Sequence, residues 1–170
     1  MRMARLVSLV VVTAVLLAFV PVGAQQPVAP PPPQIPYGAP ISLDQAKKVV
    51  AGAEAEAKKN NWNMVIAVLD SGGNVVMVER MDGTQLGSLA AAEDKAHSAV
   101  FYRRPTKVFQ DLVAKGGANI RLLGLRGASV LEGGIPITVD GKIIGAIGVS
   151  GAASEQDAQC AEAGAATLKN

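Results

Sequence analysis

Two hydrophobic periodicities follow one another in the first half of the folded part of the chain. Ser42-Leu43-Asp44-Gln45 has the Ser-to-Gln spacing of a capping box and opens an amphipathic helix that ends near Asn60-Asn61. The apolar runs 64–70 and 75–81 are typical of strands, and Ser71-Gly72-Gly73-Asn74 between them supplies turn residues. This stretch therefore predicts a helix followed by a β-hairpin.

The middle of the chain returns to helical spacing. Leu86 to Arg104 is rich in alanine and predicts a second helix, which Pro105 closes because proline disfavours a helical residue before it. Thr106 is a candidate cap for a shorter helix from Lys107 to about Lys115, and Gly116-Gly117 stops that helix.

A second hairpin is predicted around Asp140-Gly141, a dipeptide that supplies the positive φ angles of a type I′ turn. Its strands are 135–139 and 142–147, and 128–131 predicts a short additional strand before them. Ser154 is a candidate N-cap for a last helix, since acidic residues follow it. The order α-β-β-α-α-β-β-β-α predicts one α+β domain with an antiparallel five-stranded sheet flanked by helices.

The N-terminal segment differs in composition from the rest. Two arginines, an apolar run at 6–20 and the small residues Val22-Gly23-Ala24 predict that 1–24 is a secretory signal peptide. Residues 25–40 hold seven of the ten prolines and no charge, which is typical of an extended linker before a domain at 41–170. The chain is thus predicted to be exported, to the periplasm or the extracellular space. An uncleaved membrane anchor is the alternative, although about 15 apolar residues fall short of the roughly 20 that span a bilayer.

Charge and cysteine content narrow the function classes. Without Arg2 and Arg5 the chain has 14 basic and 14 acidic residues, so we expect no nucleic-acid partner. Cys160 is the only cysteine, which excludes an internal disulfide. We interpret Cys160 as a small buried hydrophobe, with an intermolecular disulfide or a metal thiolate as the alternative.

An apolar stripe on the second helix contains two polar groups, and its members are Leu86, Leu89, Ala90, Glu93, His97, Val100 and Phe101. Glu93 and His97 are four residues apart, so the carboxylate can orient the ring. Two interpretations stay open: a structural pair at a core edge or subunit contact, or a site in which His97 is an axial metal ligand or an acid/base. Because His97 is the only histidine, a three-histidine zinc site is excluded.

Other polar residues near this helix offer further chemistry. The opposite side of the helix could pack against another subunit, and it carries Ser88, Ala91, Lys95, Ser98 and Tyr102. Arg103 and Arg104 either complement the helix dipole or receive an anionic group such as a propionate. Arg80 and Asp82 form an ion pair or line a pocket mouth. No dinucleotide, phosphate-loop or serine-hydrolase motif is present in the sequence.

Several separated motifs resemble, in order, those of the GlcG/HbpS family, which is related to the C-terminal module of PduO. The residues that carry the resemblance are Ser42-Leu43-Asp44-Gln45-Ala46, Val68-Leu69-Asp70-Ser71-Gly72-Gly73, Arg80-Met81-Asp82-Gly83, Glu93-Asp94-Lys95-Ala96, Arg104-Pro105-Thr106, Gly133-Gly134-Ile135-Pro136-Ile137, Gly148-Val149-Ser150-Gly151 and Asp157. The resemblance implies a profilin-like α+β subunit, a homo-oligomer with an octamer as the candidate assembly, and haem binding. For exported members it implies haem or iron handling and redox sensing with a membrane sensor protein.

Within that resemblance the residues of the second helix suggest where haem would bind. Our hypothesis places the iron on His97, with Glu93 orienting the ring and Arg103 or Arg104 near the propionates. Phe101, Tyr102 and Phe109 would line a shallow pocket. The alternative is a subunit that binds or converts an organic acid, with Lys95, Arg80 and Asp82 around an intersubunit pocket. Slow haem breakdown is compatible with an exposed site, but nothing in the sequence identifies residues dedicated to an oxygenase reaction.

Overall fold

The computed structural model describes residues 34–169, so the predicted signal peptide and the start of the proline-rich segment lie outside the described residues. The elements along the chain are α1 (Leu43–Lys59), β1 (Val65–Asp70), β2 (Val75–Arg80), α2 (Ser88–Tyr102), α3 (Lys107–Ala114), a 3-10 helix (Gly117–Gly124), β3 (Gly134–Val139), β4 (Lys142–Ser150) and α4 (Ser154–Ala166). Both predicted hairpins are confirmed, β1–β2 and β3–β4.

The four strands of the described residues form one antiparallel sheet with the order β2-β1-β4-β3. The two hairpins lie side by side because β1 pairs with β4, from Val65 opposite Ser150 to Asp70 opposite Gly145. The turn between β3 and β4 has φ of 49° at Asp140 and 71° at Gly141, as a type I′ turn requires.

Helices cover both faces of the sheet. Side chains of Ile66 and Val68 face α1 and α4, whereas those of Val65 and Ala67 face α2, as the period of two along a strand dictates. The core between the sheet and the α1–α4 pair is the larger one and includes Cys160, which is fully buried as predicted. Burial raises the pKa of the Cys160 thiol to about 11, so this thiol is protonated at neutral pH.

Within residues 34–169 the sheet has four strands, and the predicted fifth strand, which falls in this range, is wrong. Residues 128–131, expected to form the extra strand, are irregular. Positive φ angles of 74° at Gly127 and 117° at Gly133 bend the backbone on either side of this segment, and Leu131 N–H donates to Ser129 Oγ. Because the backbone turns at both glycines, residues 128–131 do not run alongside a strand and form no β-ladder with it. The profilin-like arrangement stays a prediction.

The side of α2 that was expected to meet another subunit instead lies against the chain's own sheet. Its buried residues are Ser88, Ala92, Lys95, Ala96, Ser98, Ala99 and Val100. The helix backbone comes so close to β4 that a Cβ added to Gly148 would lie 2.5 Å from Ala96 N. Leu89 and Phe101 of the apolar stripe point outward, as does Leu86 just before the helix.

Of the three predicted helix caps, the structure confirms Ser42 and shows that Thr106 and Ser154 do not cap their helices. Ser42 and Gln45 form the capping box, with Ser42 N–H donating to Gln45 Oε1 at 2.9 Å. Thr106 Oγ1 does not cap α3, because it accepts the Gly134 N–H at 3.0 Å and ties α3 to β3. The last helix has Ala153 at its N-cap position, so Ser154 lies inside its first turn.

Candidate functional site

The outer face of α2, which we define by Leu89, Glu93, His97 and Phe101, carries the predicted iron ligand, His97. His97 is half-buried and Phe101 is 48% exposed. Their ring centroids are 3.7 Å apart with the planes inclined by 44°, because residues four apart on a helix lie one above the other. The outer face therefore presents an imidazole that is held against an exposed aromatic ring.

A glycine turn lies beside His97. A Cβ added to Gly127 would be 3.7 Å from His97 Nδ1, so the turn is in van der Waals reach of the imidazole. The Tyr102 hydroxyl donates to Arg126 O and holds this turn to the C-terminal end of α2. Next to the turn is a cavity of about 260 Å³ lined by Asp94 and residues 127–129. The sequence prediction missed Gly127, whose only signal is the Arg-Gly pair after an apolar run.

The β1–β2 turn supports Phe101 from the other side. Asp70 Oδ1 accepts the N–H groups of Gly72 at 2.8 Å and Asn74 at 2.9 Å, which fixes the turn. A Cβ added to Gly73 would lie 2.6 Å from Phe101 Cε1, so only glycine leaves space for the ring. Burial acts to raise the pKa of Asp70, but the hydrogen bonds from Asn74 and its neighbours outweigh it and hold the pKa below its ordinary value.

The two arginines after α2 already contact aromatic rings. The Arg103 guanidinium lies 4.4 Å from the ring centroid of Tyr37, and that of Arg104 lies 5.7 Å from the ring centroid of Phe109. Tyr37 OH donates to Val100 O at 2.8 Å. Tyr37 was missed as part of this region, although it is the only aromatic residue in the proline-rich segment 25–40.

The end of the proline-rich segment contacts the sheet as well. Ile143 N–H donates to Pro36 O at 2.8 Å, and Gly38 N–H donates to Ile143 O at 2.7 Å. The segment thus lies along β4 beyond the end of β1, and it brings Tyr37 to the last turn of α2.

Glu93 and His97 do not form the expected contact. Both side chains are half-buried on the outer face of α2, and in the described part of the chain neither a hydrogen bond nor an ion pair joins them. Nor do residues 34–169 bring together three or more His, Cys, Asp or Glu side chains that could hold a metal ion. A metal bound on this face would therefore have fewer than three such side chains of the described residues as ligands.

Lys95 is buried on the inner side of the same helix. Its Nζ lies 2.6 Å from Asp157 Oδ2 and donates to Val149 O at 3.0 Å, and both side chains are at most 3% exposed. Burial raises the pKa of Asp157, an effect that the Lys95 ammonium opposes. Lys95 is thus a structural residue in this subunit and is not available to bind an organic acid from solution.

Arg80 and Asp82 lie elsewhere, on the rim of a polar cavity of about 460 Å³ that Glu54, Lys58 and Glu79 also line. Burial, together with the nearby Glu54, raises the pKa of Glu79. The three residues of the organic-acid hypothesis therefore do not share one cavity within a subunit.

Another cavity of about 460 Å³ is lined by Pro105, Lys107, residues 132–135, Ala158, Glu162, Ala166 and Lys169.

The fold and the site together define a class: a small α+β domain whose antiparallel sheet is covered on both faces and whose one histidine lies on an exposed apolar helix face. Within residues 34–169 no helix is long and apolar enough to cross a membrane. Residues 41–166 match the family described as "Haem degrading protein HbpS-like". The chain belongs to this family, which groups it with GlcG and with the C-terminal module of PduO.

Relatives of known sequence or structure agree with this assignment. The chain is 41% identical over 110 residues to Protein GlcG of Escherichia coli, a match that covers 65% of this chain and 81% of GlcG. A double mutant of HbpS from Streptomyces reticuli has a TM-score of 0.71 and 32% identity, covering 86% of this chain and 99% of HbpS. A PduOC complex with haem has a TM-score of 0.71 and 28% identity, covering 77% and 96% of the two chains.

Proposed function

We propose that this protein binds haem on the outer face of α2, with the His97 imidazole as the iron ligand. The observation that carries the proposal is the half-buried His97 ring held 3.7 Å from the exposed ring of Phe101. The PduOC haem complex, a relative with the same fold, supports haem as the ligand class. When bound, haem would supply an iron whose ligand exchange and oxidation state depend on its protein ligand.

The residues around His97 fit a flat, apolar and partly anionic ligand. Phe101 and Leu89, 48% and 43% exposed, offer apolar surface to the macrocycle, while Gly127 adds no side chain beside the imidazole. The face is open in one subunit, so haem held here would stay accessible or be covered by a second copy. Phe101 keeps the imidazole in place, because the ring packed on it limits its rotation.

The cationic end of the same surface would receive the propionates. Arg103 and Arg104 follow α2 directly, and their present contacts are with aromatic rings rather than with carboxylates. A guanidinium gains more from a paired carboxylate than from a contact with an aromatic ring, so both arginines would gain by turning toward an anion. Tyr102 holds the Gly127 turn beside His97, and Glu93 lies one helical turn before His97, the spacing at which a carboxylate can orient an imidazole.

We further propose that the protein acts after export, in the periplasm or outside the cell, as a homo-oligomer in haem or iron handling or in redox sensing with a membrane sensor protein. The likeness to HbpS supports this assignment. Exposed apolar residues on and directly before α2, such as Leu86 at 78% and Leu89 at 43%, give a second copy surface to cover. An octamer is the candidate assembly.

A haemin titration tests the proposal. The chain from Gln25, which contains every described residue, is titrated with haemin while the Soret band is followed. We expect saturable binding at one haem per subunit or per subunit pair, and we expect His97→Ala to abolish or shift the band. Gln85→Ala, an exposed polar residue before α2, serves as the matched control and leaves the spectrum unchanged. An unchanged spectrum in His97→Ala contradicts the ligand assignment, and no saturable binding in the unmodified protein contradicts haem binding itself.

A further inference from the structure

Charge is unevenly distributed over the domain. Residues 103–126, which we call the basic protrusion, carry six basic residues against one acid, a net charge of +5. The rest of the chain after residue 40 carries eight basic residues against thirteen acids, a net charge of −5. The near-zero net charge of the whole domain therefore conceals two regions of opposite sign.

Most cations of the basic protrusion have no anionic partner in the part of the chain that the structure describes. Lys107 forms ion pairs with Asp111 at 3.0 Å and Glu132 at 3.4 Å. Among residues 34–169 no carboxylate pairs with the other five cations, which are Arg103, Arg104, Lys115, Arg121 and Arg126. Four of these five side chains are exposed, and Arg103 is half-buried. Their charge is thus available to a partner.

Apolar side chains are exposed among these cations. Ile120 is 48%, Leu123 60% and Leu125 38% exposed, all on or next to the 3-10 helix. A Cβ added to Gly116 or Gly117 would meet no atom within 4 Å, so a side chain at the start of the 3-10 helix would enter open space. The protrusion therefore combines free cations with exposed aliphatic side chains.

We propose that the basic protrusion docks on an anionic lipid bilayer surface through Lys115, Arg121 and Arg126, the cations that the haem proposal does not use. Lys and Arg are attracted to acidic headgroups, and leucine and isoleucine side chains enter the boundary between headgroups and acyl chains. A bilayer fits these observations better than a protein partner does. The aromatic rings beside the protrusion, Tyr102 and Phe109, pack on each other at 5.2 Å, so the exposed apolar side chains of the 3-10 helix are aliphatic, whereas protein interfaces are anchored mainly by aromatic residues.

Vesicle co-sedimentation tests the proposal with haem-free protein that starts at Gln25. This chain omits the apolar run 6–20, which would bind lipid by itself, and it retains the whole buried core, which begins at Ile41. Vesicles contain either phosphatidylcholine alone or equal amounts of phosphatidylcholine and phosphatidylglycerol. We expect binding to the anionic vesicles that weakens with added salt, and little binding to the neutral ones. Equal binding to both vesicles, or none to either, overturns the proposal.

Matched variants locate the surface. Arg121→Gln with Arg126→Gln is expected to lower the vesicle affinity by about fivefold for each cation removed, while Lys47→Gln with Lys48→Gln on α1 leaves it unchanged. Leu123→Gln is compared with Leu43→Gln, since Leu43 is 51% exposed on α1. Equal losses in test and control variants overturn the assignment. The assignment of the protrusion to a membrane surface is also overturned if light scattering shows that Leu123→Gln dissociates an oligomer. In that case the protrusion is an interface between copies of the chain.

Discussion

Lys95 on α2 and Asp157 on α4 form a buried ion pair, with Lys95 Nζ 2.6 Å from Asp157 Oδ2, although the two helices pack on opposite faces of the sheet. The lysine reaches its partner at the start of β3, where Gly133 has no side chain to block it. At this point Val149 N–H donates to Gly133 O, whereas Val149 O accepts from Lys95 Nζ. The ammonium thus joins both helices to the end of β4.

Breaking this pair from one side is expected to destabilise the domain strongly. Lys95→Met leaves the Asp157 carboxylate buried without its cation, which costs about 3–5 kcal/mol of unfolding free energy. Urea denaturation followed by circular dichroism measures the loss. Lys142→Met, the same substitution at an exposed lysine, is expected to change stability by less than about 0.5 kcal/mol.

The double variant Lys95→Met with Asp157→Asn should be more stable than Lys95→Met alone, because Asn removes the buried charge and keeps an acceptor for Ala152 N–H. A double variant as unstable as the sum of its parts would contradict this account.

The Lys95 pair also explains why the orientation of α2 could not be predicted from the sequence. Hydrophobic periodicity identifies the helix and its apolar stripe, and a lysine on the opposite side normally faces solvent. Here Lys95 is buried because Asp157, 62 residues later, satisfies its charge, and the small residues Ala92 and Ala96 let the helix approach β4. Long-range partners of this kind leave no local signal in one sequence.

Features fixed by local interactions could be predicted. The capping box of Ser42 and Gln45, the Asp140-Gly141 turn and the two hairpins depend on neighbouring residues, and all are present. Thr106 has the residue type of a helix cap, but its hydroxyl accepts from Gly134, which lies 28 residues away. The candidate site shows the same division: the spacing of His97 and Phe101 follows from the helix, whereas the position of Gly127 depends on tertiary structure.

Close approach of α2 to β4 predicts that Gly148 does not tolerate a side chain. Gly148→Ala would place its Cβ 2.5 Å from Ala96 N, so the helix must shift and stability should fall by about 1–3 kcal/mol. Gly87→Ala is the matched control, since Gly87 has φ −64° and ψ −21° and no atom lies within 4 Å of its added Cβ. That control should be neutral or stabilising by up to about 1 kcal/mol. Thermal unfolding of the two variants side by side checks the contrast, and an equal loss in both would contradict it.

The carboxylate of Asp70 should make the β1–β2 turn sensitive to acid. Its pKa is lower in the folded protein than its ordinary value of 3.8, so its contribution to stability is fully present above that value. The contribution is lost as the pH falls through the folded pKa. Asp70→Asn keeps one acceptor oxygen but cannot ionise, so it should be less stable than the unmodified protein at neutral pH and equally stable at strongly acidic pH. Urea unfolding at a series of pH values measures both, and a stability difference that is constant with pH would disprove the role of ionisation.

Tyr102 should determine how firmly the Gly127 turn is held beside His97. Its hydroxyl donates to Arg126 O, and the next hydrogen bond of the turn, from Ala128 N–H to Leu125 O, is 3.1 Å long. Tyr102→Phe removes the tether and keeps the ring that packs on Phe109, so the cost to global stability is only about 0.5–1.5 kcal/mol. Hydrogen exchange at the Ala128 amide should accelerate. In the unmodified protein, opening the turn requires breaking the hydrogen bond to Tyr102, and in the variant this cost is absent. Tyr37→Phe, which loses a hydroxyl bonded to Val100 O instead, should leave exchange at Ala128 unchanged. If both variants accelerate exchange at Ala128 equally, the turn is held by the whole end of α2 rather than by Tyr102.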